Sequence, residues 1–268
     1  VSINLTAALQ EGENILPVYG DSTERTDIPP YGHLVEYLTF GGIYRDVHLV
    51  CVNPIFIKNL FVKTGNVLSA PQLACDIRLN QVAPQVILEV ELIDSQGKKV
   101  AKTRGNVEKE TTTLVFATLP DIRLWTLDDP VLYTLQVKLV QDGEQVDTAS
   151  TRFGFREASF RPDGGFYLNG GHVKLIGLDR HQTWPYIGAA APARLQRLDA
   201  EILKHELGCN IVRTSHYPQS PHFLDRCDEI GLLVFEEITG WQHIGDEAWQ
   251  ELSLGELKTM IERDRNHP

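Results

Sequence analysis

Polar side chains follow three short apolar segments that the sequence predicts to be neighbouring parallel strands. They are, in chain order, Asp179, Arg180, His181, Arg213, His216, Glu236 and Glu237. Because the carboxyl ends of parallel strands meet at one rim, where ligands bind, we expect these groups to converge on one hollow. An arginine fork orients a carboxylate and favours its ionised form, and an imidazole N–H suits a hydroxyl group. The alternative is that Arg213 and His216 only tie a loop to a neighbouring carboxylate, and spacing alone does not separate the two.

The residues around the second segment predict a strand, a helix and a further strand. Residues 210–214 suit a buried strand, and the four apolar residues 232–235 suit a strand buried on both faces. Between them, Ser220 is expected to cap a helix that begins at Pro221, and Gly231 to end it. The apolar stripe of this helix consists of Phe223, Leu224, Cys227 and Ile230. A strand, helix and strand with short connections form a βαβ unit, and such units in series build a parallel sheet or barrel.

Similar patterns lie on both sides of this unit. Residues 173–178 predict a buried strand, and an apolar helix stripe follows it and ends before Gly208. Further along, Ser253 and Glu256 have the spacing of a capping box and predict the start of a third helix. Three strand–helix pairs are fewer than the eight of a (β/α)8 barrel. We therefore expect only the first part of such a barrel, with a bare edge that a longer chain or association would cover.

The stretch NIVRTSHYPQSPHFLDRCDEIGLLVF at residues 210–235 resembles the signature of glycoside hydrolase family 2. That family includes β-galactosidases, β-glucuronidases and β-mannosidases. The resemblance implies that His216 contacts sugar hydroxyls, that Arg213 supports the nucleophile carboxylate, and that His181 lines the sugar pocket. Glu237 matches a glutamate that follows the third strand in the family, and we expect it to hydrogen-bond its neighbours. Asp179, where the family more often has asparagine, completes the predicted substrate-binding set.

None of these residues is predicted to form the catalytic pair. Retaining hydrolysis of a glycoside needs two carboxyl groups roughly 5–5.5 Å apart. Glu236 and Glu237 are adjacent on a strand, so their side chains point to opposite faces and cannot flank one bond. Two arginines near Asp179 would keep it a carboxylate, which suits a nucleophile but not an acid. The resemblance implies that both catalytic glutamates lie beyond Pro268, so the chain alone is expected to show no turnover.

The first 50 residues are predicted to be part of a domain. Strand-like pieces occur at residues 1–5, 14–18 and 44–52, with turn-forming residues between them. The apolar content of this segment is too low to close a core alone. The segment resembles the last strands of the family's jelly-roll sugar-binding domain.

The rest of the chain is predicted to divide near residue 155. Residues 51–155 contain runs of alternating apolar and polar side chains, such as 88–92 and 133–139, separated by hairpin turns. About seven short strands of this kind favour an immunoglobulin-like β-sandwich with a structural role. Residues 156–268 contain the strand–helix pairs, and we expect them to be the N-terminal part of a TIM barrel.

Composition argues against several classes of protein. The net charge is -11 with 23% charged residues and no basic stripe, which argues against nucleic-acid binding. No apolar run approaches the roughly 18–20 residues of a membrane span. The four cysteines lack the spacing of zinc ligands or of a disulfide framework, and they favour a reducing, cytoplasmic location. The chain begins with Val1 rather than methionine, so we expect the true start to lie further upstream.

No cofactor or metal is predicted. The large metal-dependent β-galactosidases carry a Glu-x-His ligand pair shortly after the third strand, whereas Trp241 and Gln242 precede His243 here. Trp184 and Trp241 could stack on a sugar ring, and filling the core of their loops is at least as plausible a role for them.

Two function hypotheses follow. The first is an exo-acting retaining β-glycosidase that cleaves terminal β-galactose, with β-glucuronidase and β-mannosidase as alternatives; the family also tends to form homo-oligomers. The second is a non-catalytic carbohydrate-binding β-sandwich or scaffold. A sandwich module has no use for strand–helix repeats that end in Arg, His and Glu, so the first hypothesis is favoured.

Overall fold

The computed structural model describes residues 2–31, 37–162 and 164–268. Residues 2–31 and 37–56 contain turns and extended chain but neither helix nor strand. The strands predicted at residues 14–18 and 44–52 are therefore wrong, as is the strand predicted for residues 2–5; Val1 lies outside the described residues. The apolar side chains of these pieces are exposed, Ile15 by 85% and Val47 by 75%. Strands form where a partner strand takes their hydrogen bonds and a second layer covers one face, and the described segment has neither.

Seven strands in two antiparallel sheets form the sandwich predicted after residue 51. They are β1 (Ile57–Gly65), β2 (Gln72–Leu79), β3 (Val86–Ile93), β4 (Lys99–Asn106), β5 (Thr111–Val115), β6 (Tyr133–Gln141) and β7 (Glu144–Phe153). The sheet orders are β1-β2-β5 and β4-β3-β6-β7. Leu88 and Leu92 of β3 and Val137 of β6 are fully buried, because the alternating pattern places every second side chain between the sheets. The immunoglobulin-like sandwich is thus confirmed.

A small sheet connects the sandwich to the second half of the chain. It consists of β8 (Ala158–Arg161), β9 (Gly165–Leu168) and β10 (Gly171–His172), in the order β10-β9-β8. Phe166 and Leu168 of this sheet pack with fully buried Trp125 from the sandwich side. The Trp125 indole N–H also donates to the backbone carbonyl of Asp228 at 2.8 Å. One tryptophan therefore contacts both halves of the chain.

Three parallel strands follow, in the order β11-β12-β13. They are β11 (Gly177–Asp179), β12 (Ile211–Arg213) and β13 (Leu233–Phe235). Helix α1 (Ala193–Glu201), extended by a π-helical turn (Ile202–Glu206), lies between β11 and β12, and α2 (Pro221–Ile230) lies between β12 and β13. Val212 is fully buried against the helices, whereas Leu178 is 50% and Phe235 58% exposed.

The predicted burial of the outer two strands is therefore wrong. Residues 173–178 were expected to form a buried strand, but β11 is short and all three of its residues are exposed. Phe235 at the end of β13 is likewise exposed, so β13 is not buried on both faces. The helices cover one face of the sheet, and a parallel strand needs a layer on each face to be buried.

The ends of α2 agree with the predicted residues but not with the predicted cap bond. Pro221 is the first residue of the helix, and Gly231 ends it in a left-handed conformation with a φ of 73°. A Cβ at Gly231 would lie 2.3 Å from the carbonyl oxygen of Leu127. Both the left-handed backbone conformation and this lack of space exclude larger residues here. Ser220 stands at the N-cap but its side chain makes no cap hydrogen bond.

Helix α3 (Glu247–Asp264) begins six residues before the predicted capping box. The Asp246 side chain accepts a hydrogen bond from the Trp249 backbone N–H at 3.0 Å, which satisfies one of the free donors of the first turn. Ser253 is buried inside the helix, so the predicted start there is wrong. Within the described residues, no helix has both the length and the apolar character needed to cross a membrane.

A buried polar cluster joins the end of α3 to β13 and α2. His267 Nδ1 lies 2.5 Å from Asp228 Oδ2, and Arg263 Nε donates to Asp264 Oδ1 at 2.7 Å. Burial, with the nearby charge of Asp264, raises the pKa of Glu236 to about 7, and burial raises that of Asp228 to about 6. Burial opposes charge on His267, but its hydrogen bond to Asp228 and the negative charges of the nearby aspartates together outweigh this and raise its pKa.

The free energy of unfolding of the chain is expected to fall as pH rises from 5 to 8. Glu236 and Asp228 ionise at lower pH in the unfolded chain than in the folded one, so rising pH favours the unfolded state. The stabilisation from charged His267 is also lost as pH rises through its raised pKa. We expect a fall of about 2 kcal/mol, measured by urea unfolding across this range.

Glu236→Gln should flatten this pH profile. Glu262→Gln is the control, because Glu262 is partly exposed, its pKa is lowered by its hydrogen bond to Arg78, and it does not titrate in this range. Stability that increases towards pH 8 would contradict the assignment of the cluster.

Candidate functional site

The register of the parallel strands brings two of the predicted site residues, Asp179 and Arg213, side by side. Asp179 of β11 pairs with Arg213 of β12, and Arg213 pairs with Phe235 of β13. Glu237 comes two residues after Phe235, and its backbone N–H donates to the Thr214 hydroxyl at 3.1 Å. The rim of the sheet therefore gathers side chains from all three strands, as expected from parallel strands ending at one edge.

Glu237 is the centre of the polar network at this rim. One carboxylate oxygen accepts a short hydrogen bond from Arg213 Nε, and the other lies 2.9 Å from His216 Nδ1. Arg213 also reaches Asp179, with an Nη1 to Oδ2 distance of 3.3 Å. The hydrogen bond to Glu237 raises the pKa of Arg213, so the guanidinium stays charged. The structure thus places Asp179, Arg213, His216 and Glu237 in one connected network.

Aromatic rings surround the buried imidazole of His216. The His181 ring meets it edge-on at a centroid distance of 5.6 Å, and the Trp241 indole stacks on it at 4.7 Å. The Tyr37 ring lies 5.4 Å from His181 and 5.3 Å from Tyr217. His181 and His216 therefore share one ring cluster next to the Glu237 network, and all five predicted substrate-binding residues lie at this rim.

The two adjacent glutamates face opposite ways. Glu237 faces Arg213 and His216, whereas Glu236 faces Arg263 of α3 at 3.6 Å. This follows from the alternation of side chains along a strand. Glu236 therefore belongs to the buried cluster behind the sheet and not to the rim.

Arg180, expected at the rim, lies beneath it. Its guanidinium is buried and contacts Asp199 through Nε at 3.0 Å and Gln196 through Nη2 at 2.8 Å. It also donates to Gln219 and lies over the Phe223 ring at 4.0 Å. Arg180 therefore fixes α1 and α2 against the end of β11, next to Asp179 and His181. Alternation from Asp179 could have predicted this direction, but no local pattern pointed to Asp199 or Gln219.

The N-terminal segment also reaches the rim. Arg45 donates to the Pro218 carbonyl at 2.6 Å and to Gln182 Oε1 at 3.2 Å, and the Asp46 carboxylate lies 3.1 Å from His222. A cavity of about 1260 Å³ lies between this segment and α3, and Tyr217 contributes to both the cavity and the ring cluster. The segment therefore forms a wall beside the site, a contribution that sequence reasoning missed.

In the part of the chain that the structure describes, one group of side chains has donor atoms close enough to hold a metal ion. The donor atoms of Asp225, Asp228 and His267 lie within 4.8 Å of one another. Each is already engaged, Asp225 by Arg152 at 2.8 Å and Asp228 by His267 at 2.5 Å. A cation there would have to displace these partners. His243, the residue considered for a magnesium site, lies 3.2 Å from the Thr26 carbonyl oxygen and packs on Trp249.

Comparison with known proteins identifies related sequences over nearly the whole chain. Models of two domains match, "Glycosyl hydrolases family 2" at residues 55–156 and "Glycosyl hydrolases family 2, TIM barrel domain" at residues 162–268. A β-galactosidase of Thermoanaerobacterium thermosulfurigenes is 48% identical over 263 residues, which cover 95% of this chain and 36% of the relative. A β-glucuronidase of Bacteroides fragilis is 30% identical over 287 residues, covering 98% of this chain and 41% of the relative.

Solved structures show the same architecture. A β-glucuronidase of Parabacteroides merdae has a TM-score of 0.85 and 25% identity, covering 93% of this chain and 32% of that one. A β-glucuronidase of Bacteroides uniformis, covalently bound to cyclophellitol-6-carboxylate aziridine, has a TM-score of 0.82 and 30% identity, covering 93% and 32%. The chain spans about a third of the length of these proteins. The chain belongs to glycoside hydrolase family 2 and includes sequence of that family's TIM barrel domain.

Proposed function

We propose that this chain forms part of the sugar pocket of a retaining exo-β-glycosidase, and that the enzyme releases terminal β-galactose. The observation that carries this proposal is the Arg213–Glu237–His216 network beside His181 at the ends of the parallel strands. Within the described residues, both polar contacts of the His216 ring involve Nδ1, which leaves Nε2 for a sugar hydroxyl. The covalent adduct of the B. uniformis relative supports a mechanism with a nucleophile.

Arg213 is proposed to orient the nucleophile. Its guanidinium is held between Glu237 and Asp179 and keeps its charge, so it can attract and orient a further carboxylate. We propose that the nucleophile and the acid/base glutamate both lie outside this chain. A neighbouring cation also favours the ionised form of a nucleophilic carboxylate, which the retaining mechanism requires.

The choice of galactose over glucuronic acid rests on two observations. The identity to β-galactosidases reaches 48%, against 30% for the B. fragilis β-glucuronidase. A glucuronide also carries a carboxylate, which a pocket would match with a cation. Among the described side chains of the ring cluster and the Glu237 network, the one guanidinium is that of Arg213, which we assign to orienting the nucleophile rather than a carboxylate of the sugar. The related solved structures keep β-glucuronidase as the second candidate.

The domain context is part of the proposal. We place residues 1–50 at the end of a jelly-roll sugar-binding domain, and residues 156–268 at the start of a (β/α)8 barrel with about three βα units. The longer polypeptide, called the full-length enzyme below, would supply the remaining strands to the exposed face of β11 and the edge of β13. A cytoplasmic location and homo-oligomerisation remain predictions.

A hydrolysis assay tests the proposed function. The full-length enzyme is expected to release the chromophore from a nitrophenyl β-galactoside faster than from the matched β-glucuronide or β-mannoside. The 268-residue chain is expected to release none, because it would lack the catalytic pair. Turnover by the chain alone would refute the placement of the pair, and preference for the glucuronide would replace the substrate. Sugar binding without any hydrolysis by the full-length enzyme would favour the carbohydrate-binding scaffold.

A further inference from the structure

The loop after β13 holds a tryptophan in an unusual backbone conformation. Trp241 has a φ of 42°, in the left-handed region that bulky residues rarely adopt. Gly240 before it has a φ of 134°, and a Cβ there would lie 3.0 Å from the Trp249 ring. Such conformations persist where the surrounding structure imposes them, and they are concentrated at functional sites.

Contacts on both sides of Trp241 fix the loop. The Thr239 hydroxyl donates a short hydrogen bond to the Glu256 carboxylate on α3. His243 lies 3.2 Å from the Thr26 carbonyl oxygen, and its ring meets that of Trp249 edge-on at 5.7 Å. The loop is therefore attached to α3 on one side of Trp241 and to the N-terminal segment on the other.

The indole held in this way stacks on His216. The centroids of the two rings are 4.7 Å apart, and the ring planes differ by 16°. Glu237 fixes which edge of the imidazole faces the carboxylate, through the 2.9 Å contact to Nδ1. The stacking on Trp241 fixes the tilt of the imidazole plane, which the contact to Glu237 alone leaves free. Together the two contacts determine where Nε2 points.

We propose that Trp241 is a positioning residue that orients His216 for the sugar. This inference rests on the proposed function for the identity of the ligand, but the stacking itself does not. The stacking on His216 distinguishes Trp241 from Trp184, whose indole N–H lies 3.3 Å from the Asp199 carboxylate below the rim. The proposal therefore gives the Trp241 indole the His216 ring as its stacking partner, in place of a sugar ring.

The orientation can be tested on the 268-residue chain by NMR of its imidazole C–H groups. The His216 signal, assigned by its loss in His216→Gln, is expected to be shifted upfield by the indole ring current. Trp241→Leu should remove most of this shift, and Trp241→Phe should keep part of it. Trp184→Leu is the matched control and should leave the signal in place. An unchanged signal in Trp241→Leu would overturn the inference.

Kinetics of the full-length enzyme supply the second test. Trp241→Leu is expected to lower kcat about 10- to 100-fold with a smaller change in KM, because a misplaced group costs rate in this range. Trp241→Phe should recover most of the loss, and Trp184→Leu should lose little. A sugar platform would instead raise KM with kcat nearly unchanged, which would overturn the positioning role. If the unaltered enzyme hydrolyses no glycoside, the proposed function fails, and the NMR result alone decides whether Trp241 orients His216.

Discussion

Glu237→Gln is expected to lower kcat/KM of the full-length enzyme at least about 100-fold. Glu237 accepts from charged Arg213 with one oxygen and contacts His216 Nδ1 with the other. A glutamine amide has the same shape, but its NH2 group would face one of these donors and its negative charge is gone. Losing one of these hydrogen bonds, and the charge that strengthens the other, costs about 3 kcal/mol, which corresponds to roughly 100-fold in rate.

Glu236→Gln is the matched control for this prediction. The two glutamates are adjacent in sequence, yet Glu236 faces Arg263 behind the sheet. We expect its glutamine variant to keep kcat/KM within about threefold at neutral pH, because the rim is untouched. Steady-state kinetics on both variants, with thermal unfolding to confirm folding, measure the difference. Equal losses in the two variants would mean that the Glu237 network is not part of the active site.

The convergence of the rim could be predicted from sequence because it depends on local rules. Parallel strands end at one edge, so Asp179, Arg213 and Glu237 had to approach one another once the strands were recognised. The same alternation, continued past the end of β13, separated Glu236 from Glu237. These conclusions need only strand direction and a period of two.

Features that depend on distant partners could not be predicted. The apolar pieces in the first 50 residues have the pattern of strands, but no second layer covers them, and they remain extended chain. The Tyr37 ring packs on His181, 144 positions later in the chain, and no spacing rule connects the two. The start of α3 was missed for another reason, since Ser253 and Asp246 are both acceptable caps and only the surrounding chain selects one.

Arg180 illustrates how a correct residue was assigned to the wrong place. The sequence grouped it with Asp179 and His181 because the three are consecutive and polar. Asp179 faces Arg213 at the rim, so the next side chain points to the other side, towards the helices. A charged residue in that position needs a buried counter-ion, and the sequence does not show which carboxylate supplies it. The structure identifies Asp199.

Asp199→Ala is accordingly expected to destabilise the 268-residue chain by about 3–5 kcal/mol. The Arg180 guanidinium is 5% exposed, and burial already lowers its pKa, with Asp199 opposing that shift. Removing the carboxylate leaves a buried charge with only the neutral oxygens of Gln196 and Gln219 as partners, and broken buried pairs cost this much. Urea unfolding measures the loss.

Asp225→Ala provides the control, because Asp225 and its partner Arg152 are 40% and 38% exposed. Such a pair contributes no more than about 1 kcal/mol, so the two aspartates should differ severalfold in their effect. The double variant Asp199→Ala with Arg180→Met removes both charges and should recover part of the loss, since the apolar methionine can pack on Phe223. If Asp199→Ala lowers the free energy of unfolding no more than Asp225→Ala does, the Arg180 guanidinium must reach solvent in the folded chain. Arg180 would then not hold the helices in place beneath the rim.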